Sequence, residues 1–368
     1  MYLLNVIQCS NLGGMEQASL RLMHAFKLRG HSVSLISLQA LGALSSQLRK
    51  ADIPAIGLHY GKASVWSLIW QLRRELRKQR PDVLLLTGHS LPVLLAVAGT
   101  RSIPRILAIH SHHTGVKPRW FWRLYYYMAR YFVAAVTFPS DFVRLEALQF
   151  CPQLSAKAHT LRNPISPVLP FTTAERLSAR DRFGLPPCSP VVGNAGWLIG
   201  RKRFDVFLRT ATAVLRDRPD VRFLIAGDGP QREHLHSLAS SLGIQHALVW
   251  SGWIKDMRPL YAALDILLFN SDWDALPTTP IEAAVHGVPV VCSLIHGGLA
   301  EVMQPEVDLF LIDRHDVSTL STAVLDVLAD PVGAKARASK ARDRLLALSD
   351  PNMLVDWHES TFARAVCP

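Results

Sequence analysis

The feature that most constrains this chain is an alternation. Short, β-rich apolar runs recur near 2–8, 32–37, 54–58, 82–87, 104–110, 134–138 and 158–161, then near 190–195, 221–226, 247–251, 265–270, 288–292 and 309–312, with helical stretches between them. Such alternation predicts parallel sheets covered by helices on both faces, because each return to a parallel strand needs a crossover. The runs form two sets, each the size of one doubly wound domain. Between them "NPISPVLPFTT" (163–173) is proline-rich and uncharged, a natural linker. The expected architecture is α/β: an N-terminal domain over 1–168 and a C-terminal domain over 169–351. A terminal helix over 352–368, read from "PNMLVDWHESTFARAV", returns to complete the first domain.

The chain of 368 residues is 49% hydrophobic, enough for two cores, and shows no low-complexity tract or fixed-period repeat. Its first ten residues lack the basic start of a secretory leader and read as a buried strand. The longest apolar stretch (83–99) is broken by Thr87-Gly88-His89-Ser90 and Pro92, so it reads as strand, turn and helix. Cys9, Cys151, Cys188, Cys292 and Cys367 have neither metal-ligand nor paired spacing, which suits a reducing cytosol. Charge is uneven. Residues 1–168 carry 20 Lys and Arg against 6 Asp and Glu, a net of +14, whereas 169–368 carry 20 against 23, a net of −3. The first half therefore expects an anionic partner.

Ligands of such sheets bind at the carboxyl ends of strands, and the motifs fall there. "NLGGMEQASLRLMHAFKLRGHSV" (11–33) places Gly13 and Gly14 between a strand and an amphipathic helix, either a phosphate-approaching loop or an ordinary tight turn. "RILAIHSHHTG" (105–115) ends a strand at His110, with His112 and His113 beyond. Three close histidines raise a metal site, but no Cys or acid spacing accompanies them. In "VVGNAGWLIGRKRFDVFLRTA" (191–211), Arg201, Lys202 and Arg203 open a helix against its dipole, which favours a bound anion over a solvated basic turn. "FLIAGDGPQREHL" (223–235) supplies a Gly-rich turn at Gly227. Trp253 and Ile254 follow a strand end where a nucleobase edge fits. In "DALPTTPIEAAVHGVPVV" (274–291), Pro277 and Pro280 rule out one helix through both acids. Asp274 is then expected in a loop, the helix starts near Thr278 or Thr279, and Glu282 lies just inside it. The competing reading is an acid-capped helix with no ligand.

Taken together, "GGMEQASLRLMHAFKLRGHSV", "TFPSDFVR" (137–144), "LRNPI" (161–165), "FLIAGDGPQREHL", "SGWIKDMRPLYAALDILLFNSDWDALPTTPIEAAVHGVPVV" and "HGGLAEVM" (296–303) resemble, in order and spacing, a retaining glycosyltransferase of family 4. The resemblance implies the GT-B fold, two facing Rossmann-like domains with an interdomain cleft. It implies a nucleoside-diphosphate sugar as co-substrate, with no metal required. The acid pair matches the family's Glu-x7-Glu motif. Glu282 would hold ribose hydroxyls, Asp274 the transferred sugar, and the Thr278 and Thr279 backbones the diphosphate. Lys202 would neutralise that diphosphate, His110 would lie near the sugar, and Gly14 would form the N-terminal loop. Stabilising charge on the leaving diphosphate is then the main catalytic task. Two positions depart from the pattern. Gly196-Trp197 stands where the family has Gly-Arg, which leaves Arg201, Arg203 or Trp197 to make that contact. The first acid is Asp, one methylene short of Glu. "DWD" (272–274) also matches the metal-binding Asp-x-Asp of another glycosyltransferase fold, but its setting is the acid motif just described.

Acceptors of this family bind mainly to the first domain, here the basic one. "VWSLIWQLRRELRKQR" (65–80) places Val65, Ile69, Leu72 and Leu76 on one helical face, with Arg73, Arg77 and Arg80 beside them. "KPRWFWRLYYYMARYF" (117–132) mixes eight aromatics with Lys117, Arg119, Arg123 and Arg130, and carries Trp120 near its start. Each could be a core helix with a solvated basic side. Two together, in the +14 half, favour a peripheral position on an anionic membrane at the cytoplasmic face. No nucleic-acid module is recognisable. The expected activity is transfer of a hexose-type sugar, from a UDP-sugar or alternatively GDP-mannose, to a lipid-linked glycan, lipopolysaccharide or exopolysaccharide. A nucleotide-sugar epimerase and a silent nucleotide-sugar-binding partner are the alternatives.

Overall fold

The structure is a computed structural model. It describes all residues except 12, 59–63, 101, 112, 114–115, 294–295, 306, 313–314 and 367–368, which leaves His112 and Cys367 outside the described residues. The chain divides into two compact units, Met1–Ser166 with Ser349–Pro368, and Pro167–Leu348.

The first unit runs β1 (Tyr2–Ile7), α1 (Gly14–Leu28), β2 (Ser32–Ser37), α2 (Ser45–Lys50), β3 (Ala55–Gly57), α3 (Val65–Gln79), β4 (Val83–Thr87), α4 (Leu91–Ala98), β5 (Arg105–Ala108), α5 (Arg119–Phe132), β6 (Ala135–Phe138), α6 (Asp141–Phe150) and β7 (Ala158–Thr160). Its seven strands are parallel in the order β3-β2-β1-β4-β5-β6-β7, so the order reverses between β1 and β4. Strands such as "VLLLT" in β4 are buried on both faces, as a parallel sheet between helix layers requires. Ser140 caps α6 by accepting a hydrogen bond from the Val143 amide.

The second unit runs α7 (Thr173–Arg182), β8 (Val191–Ala195), α8 (Phe204–Asp217), β9 (Arg222–Ala226), α9 (Arg232–Ser241), β10 (Leu248–Gly252), α10 (Arg258–Ala263), β11 (Ile266–Phe269), β12 (Trp273–Asp274), α11 (Thr278–Val285), β13 (Val290–Ser293), β14 (His296–Gly297), α12 (Leu299–Val302), β15 (Phe310–Ile312), α13 (Val317–Ala329) and α14 (Pro331–Leu348). Six strands form a parallel sheet in the order β10-β9-β8-β11-β13-β15, and β12 pairs with β14 apart from it. The proline-rich linker ends in a capping box: Thr172 accepts from the Glu175 amide, and the Glu175 carboxylate accepts from the Thr172 amide at 2.8 Å. Arg176 and Arg180 on α7 then both grip Asp265 at 2.7 Å, and that carboxylate also accepts the Val191 amide. One acid thus joins α7 to the starts of β8 and β11.

The last helix, α15 (Pro351–Val366), belongs to the first unit. It puts Leu354, Val355 and Phe362 into the core that holds Met23 and Phe26 of α1. Arg29 meets Asp356 at 2.7 Å and Glu359 at 3.0 Å, and His31 meets Glu359 at 2.5 Å. Among the described residues no single helix is long and apolar enough to cross a membrane.

Three local expectations are corrected. Asp274 lies in a two-residue strand rather than a loop, because Trp273 and Asp274 pair with His296 and Gly297. The basic triplet does not open α8. Arg201 and Lys202 occupy a 3₁₀ turn (Gly200–Lys202), and Arg203 precedes the helix in the left-handed conformation (φ 49°). Val65 is exposed, with Leu68 buried beside Ile69, Leu72 and Leu76 instead, and Arg80 is the left-handed residue that ends α3.

Candidate active site

In the second unit the strand order reverses between β8 and β11, the place where doubly wound sheets bind ligands. The segments leaving those two strands carry the candidate residues. After β8 the chain makes the 3₁₀ turn with Arg201 and Lys202; after β11 it makes β12, with Asp274. Backbone bonds hold the two segments together: the Asp272 amide donates to the Arg201 carbonyl at 2.8 Å, and Ser271 Oγ donates to the same oxygen at 3.2 Å.

Lys202 Nζ lies 2.5 Å from Asp274 Oδ2, and Arg201 NH1 lies 3.7 Å from the same oxygen. Arg201 also donates to the Trp273 carbonyl at 3.1 Å and lies over the Trp273 ring at 4.4 Å. The Lys202 ammonium faces the Phe269 ring at 5.1 Å. Two cations therefore converge on one partly buried carboxylate. Arg203 turns elsewhere, to Asp205 at 3.1 Å and Asp272 at 3.2 Å. The Asp205 carboxylate in the first turn of α8 offsets the helix-dipole conflict that the basic triplet presents in sequence. His315 also meets Asp272 at 2.9 Å. Both acids of "DWD" thus have basic partners, and no group of three His, Cys, Asp or Glu converges among the described residues.

Four residues beyond Asp274, α11 begins at Thr278 after Pro277, and no side chain caps that end. Its amide groups present the partial positive charge of a helix N-terminus. Thr279 is anchored by its hydroxyl to the Ala195 carbonyl at 3.3 Å, which ties this helix start to the end of β8. Glu282, one turn further in, accepts from the Tyr261 hydroxyl at 2.9 Å.

Two glycines let the backbone segments around these residues approach closely. A Cβ on Gly227 (φ +151°) would meet the Gly196 carbonyl at 1.9 Å, and one on Gly297 (φ +142°) would meet the Asp274 carbonyl at 1.7 Å. Trp197 and Trp253, at the carboxyl ends of β8 and β10, contact each other at 4.8 Å between ring centres and are both exposed. Ile254 beside them is half-buried.

The remaining candidates belong to the first unit. Gly14 opens α1. Glu16 in its first turn folds back so far that a Cβ on Gly13 would meet its carboxylate at 2.4 Å, and Cys9 donates to it at 3.0 Å. His110 follows β5, the neighbour of β4 on the side away from the order reversal. Burial pushes its imidazole down to about 4, with Asn163 working in the other direction, so the ring is neutral near pH 7. Its Nδ1 is buried with no hydrogen-bond partner among the described residues. His113, weighed in sequence as a metal ligand, is wholly buried and used internally. Its Nδ1 lies 2.6 Å from Glu146 Oε2, its Nε2 meets the Tyr126 hydroxyl, and its carbonyl accepts from Trp122. Arg73 and Arg77 lie on α3, and Arg119, Trp120 and Arg123 on α5. Arg73 is committed to capping α4, donating to the Leu95 and Ala96 carbonyls.

Sequence reasoning missed Tyr261 and Gly297, and weighed Asp272 and Trp273 only within the metal-type "DWD" match. Gly297 leaves a local signal, the Gly-Gly pair of "HGGLAEVM". The others are set by contacts far apart in the chain.

Comparison with known proteins places two family models along the chain: Glycosyltransferase Family 4 over residues 12–168 and Glycosyl transferases group 1 over 189–330. A lipopolysaccharide core biosynthesis glycosyltransferase of Rhizobium meliloti is 31% identical over 162 residues, 44% of this chain and 46% of that protein. The match therefore spans about half the length of that curated relative. An N-acetyl-D-galactosaminyltransferase of Campylobacter jejuni that acts on an undecaprenol-diphosphate-linked glycan is 24% identical over 96% of both chains. The crystal structure of HepE from Anabaena in complex with UDP-glucose superposes with a TM-score of 0.85 at 19% identity, covering 98% of this chain and 100% of that one.

Proposed function

From the premise that this chain belongs to the family 4-like group 1 glycosyltransferases and has the GT-B fold, we propose that it transfers a hexose-type sugar from a nucleoside-diphosphate sugar to a lipid-linked glycan or lipopolysaccharide-type acceptor, with retention of anomeric configuration. The observation that carries this reading is the convergence of Lys202 and Arg201 on Asp274, next to the uncapped start of α11 with Glu282 one turn inside. Two cations and a helix N-terminus suit a diphosphate, and the two acids suit hydroxyls on either side of it. Arg201, rather than Arg203, takes the place of the family's usual arginine, since Asp205 and Asp272 hold Arg203. Binding the diphosphate shifts Lys202 and Arg201 from Asp274 to phosphate oxygens and frees Asp274 for a sugar hydroxyl. The same cations stabilise the charge that develops on the leaving diphosphate. Neutral His110 is suited to a sugar hydroxyl, because an uncharged imidazole can donate or accept. A UDP-sugar is the favoured donor, GDP-mannose the competing one, and no metal is needed because protein cations supply the charge. The relatives of Rhizobium meliloti and Campylobacter jejuni support the acceptor class.

The test is a thermal-shift series with UDP, GDP and ADP, each with and without EDTA, followed by product analysis. A shift with one nucleotide that survives EDTA, and an axial or equatorial anomeric proton matching the donor, are expected. A shift lost with EDTA sinks the metal-free reading. Inverted product sinks retention. Nucleotide binding without transfer to any lipid-linked acceptor sinks the transferase assignment.

A further inference from the structure

We propose that the outer face of α3, α4 and α5 is a docking surface for an anionic phospholipid bilayer. The proposal rests on the reading that the acceptor is lipid-linked, and it names the surface through which the enzyme reaches such a substrate.

Three observations carry it. The first is placement. The crossovers β3 to β4, β4 to β5 and β5 to β6 advance in the same direction along the sheet, so right-handed connections put their helices on one face, and α4 packs between α3 and α5. The second is exposed aromatic surface. Leu68, Ile69, Leu72 and Leu76 already supply the core stripe of α3, yet Trp66 and Trp70 stand 77% and 61% exposed on its other side. On α5, Trp122, Tyr125, Tyr126 and Ala129 face inward. Trp120, Leu124, Tyr127 and Tyr131 follow each other at helical spacing on the outside, with Trp120 65% and Tyr131 62% exposed. Trp66 and Trp70 also line an open groove of about 800 Å³ with Leu95 and Ala98 of α4. Helices with satisfied cores have no packing reason to carry these aromatics.

The third is charge. Arg74, Arg77 and Lys78 on α3 and Lys117, Arg119 and Arg123 on or just before α5 are all exposed, and Glu75 is the one acid on either helix. Arg74 lies over Trp70 at 5.6 Å, and Arg130 lies over both Tyr127 and Tyr131 at 4.4 Å, so cations and rings form composite units. Tryptophan and tyrosine with arginine suit the headgroup level of a bilayer, where the rings enter the interface and the guanidinium groups meet lipid phosphates. A second copy of this chain is disfavoured by the like charge of two such faces.

The experiment is co-sedimentation of the full-length protein with vesicles of phosphatidylcholine alone or with 30% phosphatidylglycerol. Binding at least tenfold tighter to the anionic vesicles, and released by high salt, is expected. The double variant W66A/W70A and the charge variant R74E/K78E should each lose tenfold or more of it with an unchanged melting temperature, since all four side chains lie outside the core. Equal binding to both vesicle types, wild-type binding by both variants, self-association that the variants abolish, or displacement of vesicles by a single-stranded oligonucleotide would overturn the proposal. Nucleotide thermal shifts and transfer to a detergent-solubilised acceptor are measured on the same variants. Lost vesicle binding with those retained touches the docking face alone. Retained vesicle binding with neither nucleotide binding nor transfer removes the transferase reading and leaves the docking face standing.

Discussion

Asp274 and Lys202 meet across 72 residues of chain. The position of Asp274 was legible as half of an acid pair; its partner was not, because sequence spacing says nothing about which loops meet at a strand-order reversal. The pairing gives a direct expectation. Lys202→Ala should reduce transfer by about 10²–10³, the usual loss when one group stabilising a developing anion is removed. It should also weaken nucleotide binding, which isothermal calorimetry would read; unchanged binding and turnover would remove Lys202 from the diphosphate site. Gly297→Ala tests the backbone support of Asp274. The new methyl group would meet the Asp274 carbonyl at 1.7 Å, at a φ that L-residues rarely adopt. A loss of several kcal/mol in urea unfolding, or of activity through a displaced Asp274, is expected; a variant with native stability and turnover would show that the strand pair β12–β14 does not hold the acid.

At the scale of elements, the run leaving β5 shows how packing separates two neighbouring histidines. Three histidines in sequence suggested a metal or a ligand face. Of the two that the structure describes, His110 sits just past the strand end, while His113 is held by Glu146 on α6 and Tyr126 on α5. Local sequence could not separate them, because their difference lies in which neighbouring helix supplies a partner. Glu146→Gln replaces a charged acceptor with an amide in a buried pair and should cost about 1–3 kcal/mol of stability. Denaturant unfolding checks this, and a change below experimental error would mean that the network is dispensable. The helices themselves were better marked. Pro280 near the start of α11 and Gly13-Gly14 before α1 are local signals whose physics acts within a few residues.

For the molecule as a whole, the first unit is strongly basic and the second near neutral, with 19 Lys and Arg against 20 Asp and Glu, and the basic unit also holds the buried histidines. Burial pushes His89, His110 and His358 each down to about 4 from an ordinary value of 6.5. Their folded values are depressed, so the unfolded chain binds more protons in this window. The stability they protect is complete above about pH 6.5 and is lost as pH falls toward 4. Each contributes at most about 3 kcal/mol over that interval. Urea midpoints measured between pH 7.5 and 4.5 should therefore fall on acidification, and His358→Gln, on α15, should flatten that slope. An identical slope in the variant would show that His358 is not buried neutral in the folded state.

The sequence by itself determined the α/β class, both series of parallel strands within a residue or two at most ends, and the identity of the acids and bases at their carboxyl ends. Those features depend on local periodicity, on proline and glycine chemistry, and on motifs read within short windows. Only the tertiary structure decided which base meets which acid, that Arg203 serves Asp205 and Asp272 rather than Asp274, that His113 is internal, and that the aromatic faces of α3 and α5 flank α4 on one side of a sheet. These follow from strand order and helix packing, which bring together residues tens of positions apart and leave no trace in the spacing of either partner.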